Sequence, residues 1–215
     1  MLKYIIFDFD GTLADSKEVF ISVYNQIADK HDYRQIEPGN LQYLRTLTIT
    51  ERCRYLKVPM YRIPFLATEF LSRYKQALDR VKLFDGIREL LLGLNALGLE
   101  TAIISSNAEH NIAGFLSANE IGSVSKIYCS SNLFGKVKLI NGFLKKYKLG
   151  PEQVIYVGDE VRDIVACKKA GVKIVWVDWG YDGRETAVSE KPDYMVSSPS
   201  QILNLAQRAM SGDRT

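Results

Sequence analysis

Tyr4-Ile5-Ile6-Phe7-Asp8-Phe9-Asp10-Gly11-Thr12-Leu13 opens as a short apolar run and ends in two carboxylates spaced by one residue. A run of this length, stopped by acids and a glycine, predicts a buried strand over residues 4–9 that gives way to a loop. The second half of the chain repeats the theme from the other side: a helical stretch, a glycine, then a β-branched run. This occurs at residues 94–98 leading into 99–105, at 147–150 leading into 154–157, and at 168–171 leading into 172–177. Each glycine is placed to end its helix in the left-handed conformation, and each following run suits a strand covered on both faces. Such alternation predicts an α/β fold with a largely parallel sheet.

Between residues 15 and 84 the pattern changes. About 70 residues pass without a convincing strand, and helical periodicity appears at about 16–31, 49–57 and 64–82. This segment reads as a helical insert, dividing the chain into a body (residues 1–14 and 85–215) and a module (residues 15–84). Asp15 with Glu18 reads as an N-cap with a reciprocal acid, and Thr48 with Glu51 as a capping box. Asp85-Gly86 marks the turn back into the body. Ser198-Pro199-Ser200-Gln201 announces a final helix, with proline at its first position. Residues 211–215 are expected to fray.

Composition narrows the function classes. With 47% hydrophobic and 25% charged residues the chain can bury a core, which excludes disorder. Its 28 basic and 25 acidic residues leave a charge of +3, too balanced for a protein that coats nucleic acid or an anionic membrane. Cys53, Cys129 and Cys167 form no CxxC pair, so neither a disulfide framework nor a zinc site is suggested. The N-terminal apolar run is too short for a signal-peptide core, and no later run reaches the length of a membrane helix. A cytoplasmic location is expected.

The chemistry concentrates where strands end, which is where open α/β sheets bind ligands. Asp8 and Asp10, two apart on an extended chain, share a side and repel unless a proton or cation intervenes; a hard ion such as Mg²⁺ resolves this. A bare pair of this kind is equally an acidic turn. The run at 154–157 leads into Gly158-Asp159-Glu160-Val161-Arg162-Asp163, a second group of oxygen ligands. Ser106-Asn107 stands before a helix and offers a hydroxyl with free backbone N–H groups to a phosphate. Phe134-Gly135-Lys136 precedes another helix and offers a cation, with Lys138 competing for the role. Phe70 and Tyr74, at helical spacing, read as core. Trp176 likewise reads as core, and Trp179-Gly180-Tyr181 as a loop at the insert's interface. His31 and His110 read as surface residues.

The four motifs in this order resemble those of haloacid dehalogenase superfamily phosphatases of the phosphoglycolate phosphatase type. They span nearly the whole body, and the insert matches that family's helical cap in place and length. The resemblance implies a doubly wound, Rossmann-like core with an all-helical cap, and Mg²⁺-dependent hydrolysis of a small organic phosphate monoester. It implies Asp8 as nucleophile forming an aspartyl-phosphate, and Asp10 as the acid and base. Asp8 and Asp159, with the backbone carbonyl of Asp10, would hold Mg²⁺, supported by Asp163. Ser106, Asn107 and Lys136 would bind the phosphoryl oxygens. Glu160 stands where the family often has a small hydroxyl residue, so either Glu160 or Asp163 is open as a direct metal ligand. A phosphomutase on the same scaffold, or a non-catalytic phosphate-binding regulator, are the alternatives. Neither nucleic acid nor membrane is an expected partner.

The insert carries 12 basic against 8 acidic residues, which would draw an anionic phosphate toward an acidic metal site. Arg45, read as part of a loop before the Thr48 capping box, is the expected cap side chain for substrate specificity, since the family uses this loop for substrate contact.

Overall fold

The computed structural model describes residues 1–130 and 135–211. Phe134 and the terminal residues 212–215 lie outside the described residues. The chain runs β1 (Tyr4–Phe7), β2 (Ala14–Asp15), α1 (Lys17–His31), α2 (Pro38–Arg45), α3 (Ile49–Tyr55), α4 (Ile63–Gln76), β3 (Lys82–Leu83), α5 (Ile87–Ala96) and β4 (Glu100–Ser105). It continues α6 (Glu109–Ala118), β5 (Val124–Cys129), α7 (Lys136–Tyr147), β6 (Val154–Gly158), α8 (Val161–Ala170), β7 (Lys173–Val177), α9 (Arg184–Ser189), β8 (Tyr194–Val196) and α10 (Pro199–Ser211).

Six strands form one parallel sheet in the order β5-β4-β1-β6-β7-β8. The order reverses at β1, which pairs with β4 on one side and β6 on the other, so the doubly wound arrangement opens a crevice at their carboxyl ends. Because strand side chains alternate, each strand feeds two cores. Ile5, Phe7, Ile103, Val157 and Val175 face one, closed by α5, α6 and α10 through residues such as Leu90, Phe115 and Ile202. Tyr4, Ile6, Ile104, Tyr156, Ile174 and Trp176 face the other, closed by α7 and α8 through residues such as Phe143 and Ile164. Strands buried on both faces must be apolar throughout, which is why their runs stand out in the sequence.

The insert is helical as expected, with a ribbon at its root: β2 and β3 pair antiparallel, Ala14 opposite Leu83 and Asp15 opposite Lys82. Helix α1 turns Val19, Val23 and Ile27, spaced by four, into the body's own core, where Tyr74 of α4 joins them. A separate small cluster of Ile36, Leu44, Cys53, Leu56 and Val58 lies farther out.

Several local expectations are corrected. Asp15 lies in β2, and Ser16 holds the N-cap position of α1 without a capping side-chain bond. Arg45 ends a helix, α2, rather than lying in a loop. The helix expected over 64–82 stops at Gln76, followed by a 3₁₀ turn and β3. Helix α7 ends with Lys148 in the left-handed conformation instead of Gly150. Strands β5 and β8 carry no apolar run of the kind that marks the other strands of the sheet. Gly98 and Gly171 do adopt positive φ, and Thr48 and Glu51 do bond reciprocally, Thr48 N–H donating to Glu51 at 2.8 Å. The cysteines are free, and no helix among the described residues is long and apolar enough to cross a membrane.

Candidate active site

Four segments converge at the carboxyl edge of the sheet: the loop after β1, the turn after β4, the start of α7 and the turn after β6. Asp8, immediately after β1, is buried. Its Oδ1 accepts the Phe9 N–H at 2.7 Å, and its Oδ2 accepts Lys136 Nζ at 2.5 Å. Lys136, the first residue of α7, is also buried and bonds Asp163. Burial alone would lower its ammonium, but the Asp163 and Asp8 carboxylates hold it above the usual lysine range. Lys138 is exposed, and of the two lysines it is Lys136 that meets Asp8.

Asp10 occupies a different environment. Its Oδ1 accepts the Tyr74 hydroxyl at 2.7 Å and its Oδ2 accepts the Asn107 amide at 2.8 Å. Burial raises its carboxyl above the ordinary range, and the Asp8 charge adds to this, while the bonds from Tyr74, Ser16 and Asn107 oppose it. Tyr74 was expected to be core and is that; in addition its hydroxyl reaches the site, which helical spacing of aromatics cannot reveal. Asn107 is engaged with Asp10, as well as with its own turn. The N–H groups of Asn107 and Ala108 are taken by Ser105 Oγ at 3.1 Å and Asn107 Oδ1 at 2.7 Å, so these two are not open to a phosphate. Ser106 Oγ accepts from Arg162 at 3.2 Å.

The expected ligand set divides. Asp8, Glu160 and Asp163 each present a buried carboxylate oxygen, all within 4.8 Å of one another. The Asp159 carboxylate is not in this cluster. It accepts the Thr12 hydroxyl at 2.8 Å and the Tyr181 N–H at 2.7 Å. Two glycines make that possible: a Cβ on Gly11, which has φ of +78°, would lie 2.4 Å from Asp159 Oδ2, and one on Gly180 would lie 2.1 Å from Asp159 Cβ. Burial raises the Asp159 carboxyl well above its ordinary range, with Glu160, Asp8 and Asp163 reinforcing the shift. Three hard carboxylate oxygens this close together fit a divalent ion such as Mg²⁺. Glu160 thus belongs to the cluster, and Arg162 bonds it.

Arg45 is half-buried and close to the site, but its guanidinium faces the loop after β7. Nε donates to Tyr181 O at 3.1 Å, and a terminal nitrogen donates to Gly180 O at 3.3 Å and Asp182 O at 3.2 Å. Arg52, not singled out in the sequence, bonds the Asp182 carboxylate, which also accepts the Val161 N–H at the start of α8. Tyr181 and Ser16 join their hydroxyls at 2.8 Å, and the Trp179 indole N–H donates to Thr12 O at 3.2 Å. The Trp179-Gly180-Tyr181 segment is thus an interface between insert and body. Trp176 is core, its indole N–H donating to Asp159 O at 2.7 Å. His110 is exposed, whereas His31 is half-buried against Glu69.

A doubly wound body carrying a helical insert, with paired acids after β1, a buried lysine and an acidic turn after β6, defines a recognisable class of hydrolase. The sequence model for haloacid dehalogenase-like hydrolases matches residues 5–177, and the chain belongs to that family. Over 210 residues it is 29% identical to a phosphoglycolate phosphatase of Synechococcus elongatus, covering 97% of this chain and 99% of that one. It is 24% identical to an N-acetylmuramic acid 6-phosphate phosphatase of Pseudomonas aeruginosa, covering 97% and 96% respectively. The crystal structure described as a predicted phosphatase from Clostridium acetobutylicum superposes with a TM-score of 0.83 at 20% identity, covering 97% of this chain and 99% of the other. The fold and the hydrolase class agree with the sequence reading.

Proposed function

We propose that this chain is a phosphomonoesterase that hydrolyses a small organic phosphate through an aspartyl-phosphate on Asp8, with residues 15–84 acting as its cap. The observation that carries this reading is the contrast between Asp8 and Asp10. One carboxylate is pinned by a buried ammonium, and the other, two residues on, is placed where burial favours its protonated form. That is the division of labour between nucleophile and general acid. The names of the similar phosphatases support the reaction class; they name different substrates, so they support no particular one.

In this reading Lys136 and the Phe9 N–H orient Asp8, whose oxygen forms a bond to phosphorus as the bond to the leaving alkoxide breaks. Asp10 gives its proton to that alkoxide, then takes one from the water that hydrolyses the acyl phosphate. Tyr74 and Asn107 hold Asp10 in place for both transfers. Lys136 and Ser106 neutralise and bind phosphoryl oxygens. Asp8, Glu160 and Asp163 would hold Mg²⁺, which would supply charge neutralisation for the transferring group.

Phosphate release across a panel of phosphate esters, with and without Mg²⁺ and with an Asp8→Asn control, tests the reading. Release should require Mg²⁺, stop with a chelator, and fall more than about 10³-fold in Asp8→Asn while the fold is retained. Labelled phosphate should be trapped on Asp8 in a slow Asp10 variant; label on another residue overturns the assignment.

A further inference from the structure

We propose that the cap selects phosphate esters of apolar alcohols, holding an aliphatic or aromatic leaving group in a cavity between its four helices. The inference rests on the phosphomonoesterase reading and adds to it the class of the substrate's body.

The cavity has a volume of about 290 Å³ and is partly open to solvent. One end is bounded by Asp10, Ser106, Asn107, Glu160 and Arg162, which are the residues of the reaction centre. From there it extends into the cap, not toward bulk solvent alone. Its walls include Ile21 and Tyr24 of α1, Leu44 of α2, Cys53 of α3, and Leu66 and Phe70 of α4. Close-packed interiors hold few voids larger than a water molecule, and an apolar cavity of about 150 Å³ accepts a benzene ring. This one has roughly twice that volume and approaches the lower bound of small-molecule sites at about 300 Å³. A leaving group of roughly naphthyl or octyl size matches it.

The charged groups on the lining agree. A cap that reads a second anionic group, such as a carboxylate, needs cations aimed into the cavity. Arg45 instead donates to three carbonyls of the loop after β7, Arg52 bonds Asp182 and Leu44 O, and Arg162 bonds Glu160 and Ser106. Lys17, half-buried on the lining beside Arg45, is the other cation there, and a single ammonium next to the reaction centre suits the phosphate itself. The rest of the cavity offers contact area and few hydrogen bonds, so it discriminates by apolar burial.

A homologous series of methyl, butyl, hexyl and octyl phosphate, with 1-naphthyl phosphate and 2-phosphoglycolate, tests this on the full chain with Mg²⁺. kcat/KM should rise by up to about four-fold per methylene, and by at least about 100-fold from methyl to octyl. Phosphoglycolate should rank below octyl and naphthyl phosphate. A flat series, or a preference for phosphoglycolate over octyl phosphate, overturns the inference while leaving the phosphatase reading intact. No release from any ester overturns both. Ala67→Phe and the smaller Ala67→Leu narrow the cavity from α4. Each should lower the octyl-to-methyl ratio of kcat/KM, Phe by at least about ten-fold, with melting curves showing that the cap is folded. If both fold and neither changes the ratio, the leaving group lies elsewhere and the assignment fails.

Discussion

In the body, polar side chains at the sheet edge come off a strand end or a helix start and are fixed by partners: Asp8 by Lys136, Asp159 by Thr12 and Tyr181, Asp10 by Asn107. The insert, which we propose acts as a cap, is built differently. Helices α1 and α4 are rooted in the body's core through Val19, Val23, Ile27 and Tyr74, while α2 and α3 close over a small cluster of their own. Rigid parallel strands can hold reacting groups to fractions of an ångström, and a thin helical shell can change its lining without disturbing them. Changes in the body should therefore act on the chemistry as a whole, and changes in the cap should act by degrees.

The largest contrast is within the first turn of α7. Lys136→Ala removes the ammonium between Asp8 and Asp163 and leaves buried carboxylates without their partner, a loss of about 3–5 kcal/mol. Activity should fall by more than about 100-fold with it. Lys138→Ala, at an exposed position, should change stability by less than about 0.5 kcal/mol. Denaturant unfolding and phosphate release measure both, and equal effects would erase the distinction drawn between buried machinery and surface.

Tyr74→Phe tests the point where the cap enters the chemistry. Loss of a hydrogen bond to an acid should lower kcat by about ten-fold. The sign of the pH effect follows from the bond's present action. Tyr74 counters the rise that burial imposes on Asp10, so its removal lets the Asp10 pKa climb further. The general acid then stays protonated to higher pH, and the alkaline limb of kcat should move upward. An unmoved limb would assign Tyr74 to packing alone.

Arg45→Ala addresses selection. With its donors on the carbonyls of Gly180, Tyr181 and Asp182, it ties cap to body, so its loss should reduce kcat/KM by a similar factor, about five-fold, for charged and uncharged esters. A selective fall for esters bearing a carboxylate would return Arg45 to the specificity role that its sequence position suggests.

Arg45 also illustrates what the sequence carries and what it omits. Strands covered on both faces must be uniformly apolar, and the acids, hydroxyl and lysine follow them at fixed offsets, so the body's fold could be read directly, and with it the sheet edge where the candidate site gathers. Tyr74, Arg52 and Asp182 meet the site only through packing between segments far apart in the chain, whereas the Trp179-Gly180-Tyr181 loop could be read as an interface. An aromatic on a helix face has the same periodic signature whether or not its hydroxyl finds Asp10. Helix α2 was missed because Pro38-Gly39-Asn40 is turn-like, although Glu37 N–H bonded to the Asn40 side chain at 3.0 Å marks a helix start. Strand β5 was missed because its residues are only partly buried, and its Ser125 and Lys126 blur the apolar run. The shift of Asp159 away from the carboxylate cluster depends on how closely Gly11 and Gly180 approach, which spacing alone does not encode.

The smallest effect concerns the outer seam of the cap, between α1 and α4. Glu69 accepts Lys30 at 3.0 Å and Arg73 at 2.9 Å, and pairs with His31 at 3.4 Å. The Lys30 hydrogen bond foremost, then Arg73 and His31, hold its carboxyl down to about 2 from the ordinary 4.5. A depressed folded-state pKa contributes stability that is complete above the unfolded value and fades as pH falls toward the folded one. Because the partners are partly exposed and screened by water and salt, Glu69→Gln should cost less than about 1 kcal/mol at neutral pH. The difference between parent and variant should shrink as the pH drops below 4.5, and weaken further at high salt. Denaturant unfolding across that range measures it, and catalytic parameters at pH 7 should change little, since Glu69 lies away from the cavity and the sheet edge. A difference that stays constant as the pH approaches 2 would assign the effect to packing of the side chain instead of to its charge.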